Sequence, residues 1–128
     1  MLPLPSAPPD ADWAVLSLDA PLGTPDRVLP LLRGVPQVGA SAMLGGYEQD
    51  RAQAMVADRG CAVIGIARGA SGHAMLRHSC AATRGTSGAP LLARAPDGRW
   101  SIIGVASQAL IGAAGGFAVP ASAITAPR

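Results

Sequence analysis

Lysine is absent from this 128-residue chain, and aromatic rings are scarce, with Trp13, Tyr47, Trp100 and Phe117 making up the 3% of Phe, Trp and Tyr. The ten basic residues are therefore all Arg and, set against eight acidic ones, leave a formal charge of +2. That excess is too small and too scattered for a nucleic-acid-binding surface. Long apolar runs are also lacking, and none approaches the roughly 18 residues of a membrane-spanning helix. The opening MLPLPSAPPDAD has neither a basic n-region nor a continuous apolar core, so no signal peptide is expected in it. Histidine occurs only as His73 and His78, neither with a partner at zinc-ligand spacing, so no metal or other cofactor is expected. Two cysteines, Cys61 and Cys80, allow one disulfide or a pair of thiols. With so few rings, the 49% hydrophobic content must build its core from Ala, Val, Leu and Ile, and 16 Gly and 12 Pro favour thin β-structure with many turns. The length suits one domain with one core.

Proline divides the chain. Eight of the 12 fall within residues 1–36, a leader that contains the β-type run Trp13–Leu18 and then an extended connector punctuated by Pro25, Pro30 and Pro36. Residues 37–128 form a Gly/Ala-rich body with candidate strands at Ala40–Tyr47, Ala52–Val56, Cys61–Ala67, His73–Arg77, Ala89–Ala93, Arg99–Ser107 and Gly116–Val119. About six short strands separated by turns predict an all-β fold, a small antiparallel barrel or sandwich.

The stretch richest in chemistry is Gly85-Thr-Ser-Gly-Ala-Pro90, which places the Ser87 hydroxyl between two glycines on a turn that enters an apolar strand. A nucleophilic serine needs such a turn, because glycines let the backbone bend sharply and a substrate carbonyl approach, while the amides of Gly85 and Ser87 can converge on an oxyanion. An ordinary Gly/Ser β-turn has the same composition. Neighbouring segments separate the two readings.

Asp12-Trp-Ala-Val-Leu-Ser-Leu18, Leu76-Arg-His-Ser-Cys80, Gly85-Thr-Ser-Gly-Ala-Pro90, Trp100-Ser-Ile-Ile-Gly-Val-Ala-Ser107 and Gly115-Gly-Phe-Ala-Val119 occur in that order. Together they resemble the chymotrypsin-like serine peptidases, in particular the bacterial branch that includes the glutamyl endopeptidases, over residues 10–124 or so. The resemblance implies that the body is the second barrel of that fold, a six-stranded antiparallel Greek-key barrel. It also implies Ser87 as nucleophile, Asp12 as the carboxylate that orients the catalytic histidine, and Gly85 and Ser87 as oxyanion hole. A serine hydroxyl is too weak an acid to attack unaided and needs an imidazole as base. In this family's chain order the histidine precedes the aspartate, and none of the 11 residues before Asp12 is His. His78, nine residues before Ser87 on a strand, can lie roughly 25 Å or more away along an extended chain, and His73 belongs to a Gly/Ser turn. A His-bearing N-terminal barrel is therefore the expected partner, with a peptide or protein as substrate.

Position by position, the resemblance places Ala81, Ala82 and Thr83 on one wall of the substrate pocket, Ser107, Gln108 and Ala109 on another, and Gly116, with Gly115, at the back. Ala81 is not acidic, so Arg or Lys specificity is not implied. Ala106 or Ser107 stands where glutamyl endopeptidases have histidine, so glutamate specificity is not implied either. Small or medium apolar side chains are the default. Thr86 before Ser87 removes the aspartate that would receive a newly cut N-terminus. A disulfide between Cys61 and Cys80 fits the family, and with it a secreted or periplasmic setting for the full-length parent. Two expectations of different class follow: a serine endopeptidase lacking its histidine, or a non-catalytic barrel that binds or scaffolds peptides.

Overall fold

The computed structural model describes residues 11–25, 28–47, 55–81, 87–110 and 113–124. Six strands follow one another along the chain: β1 (Ser41–Tyr47), β2 (Met55–Arg68), β3 (Ala74–His78), β4 (Pro90–Arg94), β5 (Trp100–Ala109) and β6 (Gly116–Pro120). They close into an antiparallel barrel in the order β1-β2-β3-β6-β5-β4. The expected six-stranded all-β barrel is thus present, and closure gives every strand a neighbour on both sides. The jumps from β3 to β6 and from β4 back to β1 are what distinguish it from a simple meander.

Small aliphatic side chains fill the barrel. Leu44, Val63, Leu76, Leu91, Ile103 and Ala118 are buried and pack with the Cys61–Cys80 pair into one cluster. A barrel this narrow suits such residues, since interior positions of small barrels are filled by side chains and every methyl group counts. Pleating sends the alternate residues of β2 outward, and Ile64 and Ile66 are exposed.

Two sequence expectations differ from the structure. Met55 and Val56, the described end of the expected Ala52–Val56 run, belong with Cys61–Ala67 to a single strand, because β2 pairs with β1 at Met55–Asp58 and again at Cys61 and Ala62, on both sides of a register shift. The register shift takes up the residues between Asp58 and Cys61 as an irregularity within the strand instead of a turn that ends it. Trp13–Leu18, expected as a strand, forms no ladder among the described residues, and Val15, Leu16 and Leu18 are exposed. An isolated strand has no partner for its backbone groups. The leader instead joins the barrel at Pro30–Leu32, where Ile102 donates its N–H to Pro30 O (2.8 Å) and Leu32 donates to Ile102 O (2.9 Å).

Candidate active site

Ser87 sits on the turn that feeds β4. Gly88 follows it at φ 87°, a left-handed conformation that glycine adopts without strain. This turn is pinned to β5 by two backbone hydrogen bonds, from Gly88 N–H to Ala106 O (2.7 Å) and from Ala106 N–H to Ala89 O (2.8 Å). The next residue of β5 is Ser107. Between β5 and β6 the register shifts from Ala106↔Ala118 to Gln108↔Phe117, so Ser107 is the extra residue of a β-bulge. A bulge releases one residue from the ladder and re-aims its groups.

Those groups hold the site together. The Ser87 hydroxyl donates to the Ser107 carbonyl at 3.2 Å. Through its own hydroxyl, Ser107 donates to Asp12 Oδ2 at 2.9 Å, across 95 residues of sequence. Asp12 and Ser87 are both exposed. The bulge thus brings the expected carboxylate and the expected nucleophile to one residue. Ser107, expected as a pocket wall, is the residue that touches both, a contact that no pattern in the sequence of β5 signals.

Of the other expected residues, Ala81 is exposed at the exit of β3, whereas Ala82, Thr83 and Gly85 lie outside the described residues. Gln108 and Ala109 continue β5 beyond Val105, the partner of the first residue of β4, and so run past the end of that neighbour beside Ser87. Gly116 is buried between Ala109 and His78 in the paired rows of β5, β6 and β3. A Cβ there would collide with the Gln108 carbonyl, so close strand approach requires glycine at this position.

Three contacts anchor the chain where β3 gives way to the loop that leads to Ser87. Cys80 is bonded to Cys61, as the resemblance implied. The Ser79 hydroxyl accepts the Ala62 N–H at 3.0 Å. Cys80 N–H donates to His78 Nδ1 at 3.1 Å, and the His78 side chain is fully buried. Its Nδ1 lone pair is thereby engaged within the barrel wall, which removes it as a base for Ser87. His73 lies on the β2–β3 turn, where its carbonyl accepts the Gly69 N–H at 2.8 Å.

Among the described residues no cluster of His, Cys, Asp and Glu is suited to a metal ion, and no helix is long and apolar enough to cross a membrane. No family model matches the chain, and no curated protein or solved structure matches it either.

Proposed function

We propose that this chain is the nucleophile-bearing barrel of a serine endopeptidase of the chymotrypsin-like class. The observation that carries the reading is Ser107, which holds Asp12 by its hydroxyl and Ser87 by its carbonyl. A carboxylate fixed by a hydrogen bond beside a serine on a glycine turn is the frame into which an imidazole fits, taking the serine proton at one nitrogen and donating to the carboxylate from the other. Ser87 Oγ then attacks the scissile carbonyl, the amides of Gly85 and Ser87 hold the oxyanion, the amine leaves with the proton from the imidazole, and water hydrolyses the acyl-enzyme. The extended end of β5, Ser107–Ala109, offers backbone groups to a substrate strand, with Ala81 to Thr83 and Gly116 shaping the neighbouring pocket. A His-bearing barrel supplies the base. The buried disulfide suits a secreted or periplasmic setting.

One feature favours the second reading, a non-catalytic barrel that binds peptides: the Ser87 hydroxyl donates to a carbonyl, while the buried His78 imidazole accepts the Cys80 N–H. Casein hydrolysis discriminates the two. The chain alone is expected to be inactive, and fusion to a His-bearing first barrel is expected to yield cleavage that Ser87→Ala abolishes. A correctly folded fusion that leaves casein intact would support the binding module.

A further inference from the structure

Closure gives β2 its second neighbour over only part of its length. The strand runs for 14 residues, Met55–Arg68, and β1 pairs with it no further than Ala62. Gly39 and Ala40 extend that pairing by one residue, with Gly39 N–H donating to Val63 O (2.7 Å) and Val63 N–H to Ala40 O (3.0 Å). There the preceding chain turns away: Ala40 N–H closes a turn on Gln37 O, with Gly39 at φ 94°, a conformation that glycine supplies in such turns. From Ile64 to Arg68, β2 is therefore paired on one side only among the described residues, with Ala74–Arg77 of β3.

The alternation of an antiparallel ladder decides which groups are left over. Gly69 N–H donates to His73 O where the hairpin closes, so Ala67 and Gly65 also bond towards β3, and Ile66 and Arg68 turn their N–H and C=O groups to the open side. An open edge is a template for another strand, and proteins guard such edges with lysine, proline or a charge in mid-strand. Ile64-Gly-Ile-Ala67 has none of these. It presents Ile64 and Ile66, 48% and 44% exposed. The one charge, Arg68, comes at the end, where its guanidinium donates to the Gly72 carbonyl of its own hairpin.

This edge is complementary to itself. We propose that β2 pairs antiparallel with β2 of a second copy about a two-fold axis through Ile66, joining two barrels into a dimer. About that axis Ile66 faces Ile66, each bonding the outward N–H and C=O of the other, and Ile64 faces the aliphatic stem of Arg68. The two guanidiniums then lie at opposite ends of the pair and do not oppose each other. The leader of the same chain is not available to this edge. Asp12 is held by Ser107 and Pro30–Leu32 by Ile102, both on β5, which stands across the barrel from β2. For the same reason the dimer leaves Ser87 and Asp12 open, and it does not depend on the peptidase reading.

Sedimentation velocity and oxidative cross-linking test this pairing, with Leu16→Ser/Leu18→Ser/Leu22→Ser as the background so that the leader's apolar surface does not contribute. That protein is expected to sediment as a dimer at micromolar concentration, and Ile66→Lys, which sets two ammonium groups across the axis, to weaken association about tenfold or more. Ile66 is exposed, so an unchanged thermal transition of the monomer serves as the folding control. Both native cysteines are bonded to each other, and a single added thiol therefore reports geometry. Ile66→Cys should oxidise to a disulfide-linked dimer. Two Ile64→Cys thiols, about 13 Å apart along the paired strands, should stay reduced, being beyond the roughly 7 Å between Cα atoms that a disulfide can bridge. A monomer at every concentration in the leader-substituted background would give any self-association to the leader and overturn the proposal. A dimer indifferent to Ile66→Lys, or Ile64→Cys that cross-links as readily as Ile66→Cys, overturns it as well.

Discussion

Ser107 acts through its position in a bulge. In a regular ladder its carbonyl would be paired with a neighbouring strand, and here it accepts from Ser87 while its hydroxyl reaches Asp12. Alternation along Val105-Ala106-Ser107-Gln108 does not reveal which residue escapes the ladder, because a bulge is set by pairing with β6 and not by local preference. Ser87 stands out in the sequence for the opposite reason, since a serine between glycines is a local pattern, whereas Asp12 is singled out by the resemblance. The inward burial of His78 was not legible, since a polar residue on a strand is read as outward-facing. Once buried, its Nδ1 satisfies the Cys80 N–H. His78→Ala is accordingly expected to cost about 1–3 kcal/mol by leaving that N–H without its acceptor, and His78→Asn, whose side-chain carbonyl can take the bond, to cost less. Urea unfolding of the three proteins checks this order, and equal midpoints for the two variants would contradict it.

At the scale of elements, barrel closure was legible in the number and spacing of the strands, and their boundaries less so. Strand β2 continues past Asp58-Arg-Gly60 because β1 pairs with it on both sides of a register shift there, while Trp13–Leu18 forms no ladder among the described residues. The Cys61–Cys80 bond ties β2 to the exit of β3 across 19 residues of sequence. Closing a loop of that size stabilises the fold by about 3 kcal/mol. Reduction under denaturing conditions followed by alkylation should therefore lower the unfolding midpoint, and alkylation without reductant should add no mass. Two modified thiols in the untreated folded protein would contradict the pairing. Because Cys80 immediately precedes the loop that leads to Ser87, Cys61→Ala/Cys80→Ala should also slow any reaction at Ser87 more than it slows binding of a peptide.

Across the whole molecule, the barrel buries its small core while the leader exposes Val15, Leu16, Leu18, Leu22, Val28, Leu29, Leu31 and Val35. So much apolar surface in one segment is a mark of an interaction face, and it belongs to the same leader that carries Asp12. The folded chain should bind a hydrophobic dye or self-associate, and Leu16→Ser/Leu18→Ser/Leu22→Ser should reduce both while leaving the barrel's unfolding transition in place. A monodisperse monomer that binds no dye would argue against this face. The central assignment is that Ser87 and Asp12 frame a place for an imidazole. It is tested by mass-mapped labelling of the chain with a fluorophosphonate as free imidazole is titrated in. Labelling at Ser87 should be slow without imidazole, rise in proportion to it, fall about tenfold in Ser107→Ala, which releases Asp12, and vanish in Ser87→Ala. Labelling that ignores imidazole, or that persists after Ser87→Ala, would contradict the assignment.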